Sequence, residues 1–125
     1  MKDQFVPYDI ALKLKELGFN DECFGYYIEC EKWIPASYSM EGVEYPSNND
    51  LILDWVTSPL YQQVFQFLRD NFNFSGNIDC CDNLSTWNIK SSKLDKGIYS
   101  NKVQSYNDAQ NECIQEIIKL IENEQ

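Results

Sequence analysis

Histidine is missing altogether from the 125 residues. Within this chain, that excludes Ser-His-Asp and Cys-His nucleophilic sites, histidine-ligated zinc and a histidine-bound haem. Basic residues are scarce too. There are 10 Lys and Arg against 20 Asp and Glu, a formal charge of −10 and a pI near 4.3. Gripping a phosphate backbone by general electrostatics needs the opposite sign, so direct nucleic-acid binding is not expected. With only 5 Gly and 4 Pro, the composition is neither collagen-like nor disordered. No apolar run approaches the roughly 18 residues of a membrane helix. The start, Met1-Lys2-Asp3-Gln4-Phe5-Val6-Pro7, lacks the apolar stretch of a signal peptide, and the expectation is a cytoplasmic protein without membrane contact.

What the chain does have is enough apolar content for a core: 43% of its residues, with 7 Phe, 8 Tyr and 3 Trp. The length suits a single domain over residues 1–125. The five cysteines are Cys23, Cys30, Cys80, Cys81 and Cys113, an odd number that speaks for free thiols in an unsecreted chain. Their spacing matches no CxxC metal motif, and small apolar side chains in or near the core is the plainer reading.

Apolar periodicity marks three helices. From Tyr8 to Leu17, Ile10, Leu14 and Leu17 share a face beside Ala11, with Pro7 at the first turn and Gly18 as the left-handed cap. From Ser58 as N-cap and Pro59 as first residue, Tyr61, Val64, Phe65, Leu68 and Phe72 form a stripe, and the helix should end near Asn71, before Ser75-Gly76-Asn77; the region from Ile78 to Val103 reads as polar and broken. From Tyr106 to Glu122, Tyr106, Ala109, Cys113, Ile117, Leu120 and Ile121 form a face widened by Ile114 and Ile118, with Ser105 and Asp108 at capping-box spacing.

Between the helices the chain reads as strands. The aromatic run from Glu22 to Cys30 is one. Trp33-Ile34 and Tyr38-Ser39-Met40 are candidate paired pieces, with Pro35 confining its segment to an edge and Gly42 suited to a turn. Pro46 to Asp50 reads as a loop and Leu51 to Val56 as a short strand. Thr86 to Lys90 alternates, and Ile98-Tyr99 is its expected partner across a turn at Lys93 to Gly97. The expected class is α+β, in the order α-β-β-β-α-β-β-α. It is a single domain with a mostly antiparallel sheet of about four to five short strands packed with three helices.

No catalytic constellation stands out. The glycines are too dispersed for a phosphate loop, and Asn48-Asn49-Asp50 does not supply an EF-hand pattern. Glu29 with Glu31, or Glu41 with Glu44, would be the pairs for a carboxylate-dependent hydrolase, but an acidic chain offers such pairs by chance. Asp79 and Asp82 flank Cys80 and Cys81 and work against a reactive thiolate. No metal and no cofactor is expected, and no enzymatic activity. The strongest signal is the interleaving of acids and aromatics from residue 22 to 55, where only Lys32 is basic. Glu29, Glu31, Glu41, Glu44, Asp50 and Asp54 are the candidate charged contacts. Trp33, Tyr38 and Tyr45 are the candidate anchors of a partner-binding face. The plain alternative makes the aromatics core and the acids solubilising, with contact elsewhere, for example on Asp79 to Lys102.

Two stretches resemble a known group. Phe5-Val6-Pro7-Tyr8-Asp9-Ile10-Ala11-Leu12-Lys13-Leu14-Lys15-Glu16-Leu17-Gly18-Phe19 with Cys23-Phe24-Gly25-Tyr26-Tyr27 is the first, and Ser58 to Arg69 the second. Both are similar to small bacterial phage and prophage proteins, and the Ala109 to Ile121 face fits the same group. The likeness covers about half the chain and leaves Glu29 to Asp54 outside it. Among such proteins the chain resembles anti-CRISPR inhibitors of the type VI-B RNA-guided ribonuclease. That implies a cytoplasmic, non-catalytic protein, monomer or weak dimer, that binds the host effector itself. Two other functions remain open: a phage accessory or structural module acting by homo-oligomerisation, and a small carboxylate-dependent enzyme.

Overall fold

Each of the three stretches with a helical apolar period forms a helix in the computed structural model, which describes residues 4–28, 32–36, 38–39, 42–43, 45–51, 55–82, 84–100 and 102–124. The class is α+β, and all strand pairings among the described residues are antiparallel. The strands do not form one sheet. The described strands divide into two three-stranded sheets and a two-stranded pair, and most are only two to four residues long. The chain divides into two compact units, Met1–Tyr61 and Gln62–Gln125.

In the first unit, α1 (Tyr8–Glu16) buries Ile10, Ala11 and Leu14. Pro7 is its N-cap, and the Pro7 carbonyl accepts the Ala11 N–H at 3.0 Å. Gly18, at φ 98°, takes the left-handed turn, so that Gly18 N–H reaches Lys15 O (3.1 Å) and Phe19 N–H reaches Leu14 O (2.9 Å). This closes the helix and drives the Phe19 ring into the core, where it is 1% exposed. The strand expected over residues 22–30 starts later, as β1 (Gly25–Ile28); residues 29–30 are outside the described residues. β2 (Lys32–Pro35) pairs with β1, not with Tyr38-Ser39, and is an edge as Pro35 requires. β3 (Tyr38–Ser39) pairs with β4 (Gly42–Val43), so Gly42 lies in a strand rather than in the turn; Met40 is outside the described residues. The strand expected at residues 51–56 is described at its end, as β5 (Val56–Thr57), which lies on the other side of β1; residues 52–54 are outside the described residues.

The second helix, α2 (Tyr61–Phe72), begins two residues later than its capping signal suggested. Ser58 is drawn into sheet pairing instead. Its N–H donates to Gly25 O at 2.8 Å and its hydroxyl to Val6 O at 3.3 Å, and Leu60 bridges Phe5. Val64 and Leu68 are buried as the stripe requires, Phe65 and Phe72 are half-buried, and Phe67 is buried against Phe72 edge to face. The helix stops at Asn73, which adopts φ 62° and leads a buried Phe74 inward, a second use of the left-handed exit seen at Gly18 and Phe19.

In the second unit, Ser75-Gly76-Asn77 and the start of the stretch that reads as polar and broken form β6 (Ser75–Cys81), one of the two longest strands described and one not expected from the sequence. Turn-forming residues hide it, but Gly76 is there for space. A Cβ would stand 2.7 Å from the Phe65 ring and 2.9 Å from Cys113 Sγ. β6 pairs with β7 (Leu84–Lys90), which pairs with β8 (Ile98–Tyr99) in the register Asn88↔Tyr99 and Ile89↔Ile98. Ser85, Trp87 and Ile89 are the buried face, and α3 (Tyr106–Asn123) packs across β6 and β7. Ser105 caps α3 through Asp108 N–H at 3.1 Å. Ala109, Cys113, Ile114, Ile117, Ile118 and Ile121 are buried, whereas Tyr106, expected on that face, is exposed at the first turn.

One polar cluster ties this unit together. Glu112 on α3 accepts from Trp87 Nε1 at 3.1 Å and meets Lys102 Nζ at 3.5 Å. Burial opposes its charge, but Trp87, the adjacent Gln104 amide and Lys102 together outweigh burial and hold the carboxyl below the ordinary 4.5. A lowered folded pKa means that Glu112 contributes stability above the unfolded value, lost as pH falls through the folded one. Glu112→Gln should therefore unfold more easily than the parent at pH 7, by about 1 kcal/mol for a part-exposed group. In urea titrations the gap should close at pH values well below 4.5.

Candidate interaction surface

Alternation along β1 separates two neighbouring tyrosines. Gly25 and Tyr27 face inward; Tyr26 and Ile28 face the other way and are half-buried. Tyr27 is 3% exposed, and its hydroxyl donates to Val6 O at 2.7 Å. Burial raises its pKa, the Ser58 hydroxyl partly offsets that, and Asp9 adds to it. The register Tyr27↔Trp33 puts Trp33 on the inward side as well. Its ring lies over Gly25, where a Cβ would be 2.7 Å away, and 5.1 Å from the Phe5 ring centroid. Trp33 is thus half-buried and engaged, and its Nε1 is buried with no hydrogen-bond partner among the described residues.

The outward side carries the accessible aromatics. Tyr26 stacks on Trp55 with centroids 5.7 Å apart and planes at 20°, next to Ile34 on the neighbouring strand. Phe24, two residues before Tyr26, is 50% exposed and meets Tyr45, 42% exposed, edge to face at 5.0 Å. Of the anchors expected from sequence, Tyr45 is therefore presented to solvent; Tyr38 lies in β3, and its side chain is outside the described residues. Phe24, Tyr26 and Trp55 join this surface without having been singled out. The signal was present: in a Phe-Gly-Tyr-Tyr-Ile strand only one of two adjacent tyrosines can enter the core.

The loop bearing Tyr45 is held by its polar residues. Asn48, 8% exposed, donates from Nδ2 to Phe19 O (2.7 Å) and accepts at Oδ1 from Thr57 N–H (2.9 Å). It joins the exit of α1 to the outer edge of β5. Asn20 Oδ1 accepts Asn49 N–H at 2.8 Å, and Cys23 N–H donates to Pro46 O at 3.0 Å. Asp50 closes a capping box with Ser47 over the 3-10 turn Asn48–Asp50. The Ser47 backbone and hydroxyl lower its pKa against a small opposing effect of burial, so this candidate contact is ionised but already occupied. Lys15 Nζ reaches Trp55 O at 3.2 Å. Glu29, Glu31, Glu41, Glu44 and Asp54 lie outside the described residues.

The thiols separate into two kinds. Cys23 and Cys113 are free and buried, each with its pKa pushed up to about 12, chiefly by burial, which leaves them inert. Cys80 and Cys81 are free but exposed, contrary to the expected core placement, because they stand at the end of an outer strand. Cys30 lies outside the described residues. Among the described residues no group of three or more His, Cys, Asp or Glu is placed to hold a metal ion, and no helix is long and apolar enough to cross a membrane. The outer face of the second sheet offers another surface: Asn88 bonds Asn77 and Asp79, beside exposed Leu84, Tyr99 and Val103. Comparison with protein-family models, with curated proteins and with solved structures finds no match.

Asn48→Ala removes two hydrogen bonds, one to Phe19 O and one from the buried Thr57 N–H. The expected cost is about 3 kcal/mol, read as an earlier chemical-denaturation transition of the first unit.

Proposed function

We propose that this chain is a non-catalytic binding protein that presents acids and aromatics of its first unit to a basic protein surface. The observation that carries this reading is the coincidence of charge and exposed rings. Residues 1–61 hold 11 acids against 4 bases, while the exposed pair Phe24 and Tyr45 and the half-buried pair Tyr26 and Trp55 lie on the same unit. A single-signed field steers a basic partner, and part-exposed aromatic pairs supply contact area at small entropic cost.

The phage resemblance names the partner within this proposal: a host type VI-B RNA-guided ribonuclease, bound and inhibited in the host cytoplasm. Such an enzyme must hold its guide RNA in a basic channel, because the RNA backbone is an anion. A chain of net charge −10 has the sign to approach that channel or its rim. Inhibition by occupancy needs no catalytic residue, which suits a chain without histidine.

The test is charge reversal away from the loop scaffold. Asp50 is unsuitable, since it also caps its turn. Glu41→Lys with Glu44→Lys, and separately Phe24→Ser with Tyr45→Ser, should each leave the thermal melt near the parent's. Each should weaken binding to the purified guide-loaded effector about tenfold, or roughly 1.4 kcal/mol. The charge variant should lose its deficit at high salt and the aromatic variant should not. Unchanged binding of both folded variants, or no binding by the parent, overturns the proposal.

A further inference from the structure

A strand edge with unpaired N–H and C=O groups is a template for another strand, and proteins blunt such edges. Of the four edges of the two three-stranded sheets, three are blunted. β2 carries Lys32 and Pro35. β5 is two residues long, and its outward N–H, on Thr57, is taken by Asn48. β8 is two residues long. The fourth, β6, runs for seven residues with no Lys, no Pro and, among the described residues, no strand on its outer side.

Printed on its neighbour is the phase of that edge. Trp87 N–H donates to Ser100 Oγ at 3.1 Å and Trp87 O accepts Ser100 N–H at 2.9 Å. Ser85 and Gln104 exchange both backbone bonds, at 2.7 and 2.9 Å. These groups point away from β6. Their opposite residues, Ile78 and Cys80, therefore sit in non-hydrogen-bonded pairs with their own N–H and C=O turned outward, and alternation adds Gly76.

We propose that a second copy of this chain occupies that edge, as an antiparallel pair with its two-fold axis at Ile78, joining two three-stranded sheets into one of six. The rank Gly76, Ile78, Cys80 is symmetric about Ile78, so this axis engages all three residues on each strand. An axis at Gly76 or Cys80 would engage fewer. The same register sets Asn77 against the partner's Asp79, so the one charged residue of the strand meets an amide and not its own copy. A self-complementary strand closes into a dimer and stops there. The inference stands apart from the acidic surface of the first unit.

Sedimentation equilibrium under reducing conditions, at physiological salt and up to millimolar protein, should show the mass rising from one chain to two. Cys80→Pro removes an outward N–H and spares the β7 ladder; folded by thermal melt, it should stay at one chain. Independently, Asn77→Cys and Asp79→Cys are made separately in a Cys80→Ser, Cys81→Ser background. Oxidation of the mixture should give covalent dimer well beyond either protein alone. A one-chain mass at every concentration, a dimer that persists in folded Cys80→Pro, or a mixture that crosslinks no more than its components overturns the proposal.

Discussion

The disposal of backbone hydrogen-bonding groups at the edges of short sheets is the constraint on which the rest of this structure depends. Most strands described are two to four residues long, so few of them are interior and side chains must finish what the ladders leave. Asn48 does this for the first sheet. It acts as a one-residue strand for Thr57 while anchoring the carbonyl of Phe19, the residue that plugs the core behind α1. Ser58 does the same in the other direction, which delays the start of α2. In the second sheet Ser100 and Gln104 complete β7, and the burden falls on the outer side of β6.

The candidate surface follows from that arrangement. Once β1 is central between β2 and β5, its alternation is fixed. Tyr27 must then enter the core with its hydroxyl on Val6 O, and Tyr26 must leave it. The loop that Asn48 and the Ser47–Asp50 box hold in place brings Tyr45 to Phe24. The exposed aromatics are thus consequences of sheet register, and they fall on the unit that holds most of the chain's excess negative charge.

The helices were legible from sequence because their signals are local and redundant. The Ile10–Leu14 spacing, Gly18 at the exit and Ser105 before Asp108 each act where they were read. Strands depend on partners elsewhere in the chain, and there local signals misled. Ser75-Gly76-Asn77 has turn composition, yet Gly76 serves to admit Phe65 and Cys113 to the strand surface. Ser58-Pro59 has the chemistry of a helix start, yet the Gly25 and Val6 carbonyls claim the serine. Of the candidate site, Tyr45 is an exposed aromatic, as a surface residue of that loop should be. Trp33 was not legible as a ring lying over a glycine, because the Tyr27↔Trp33 register decides its side.

Residue-resolved amide hydrogen exchange tests the edge account most directly, since it reads each N–H separately. In dilute protein the Thr57 amide should be protected like an interior strand amide, and Asn48→Ala should abolish that protection. The Gly76, Ile78 and Cys80 amides should exchange quickly in the same sample, while Asn77, Asp79 and Cys81 are protected, and should slow as the protein is concentrated. A Thr57 amide that exchanges freely, or outward β6 amides already protected in dilute protein, would contradict the account.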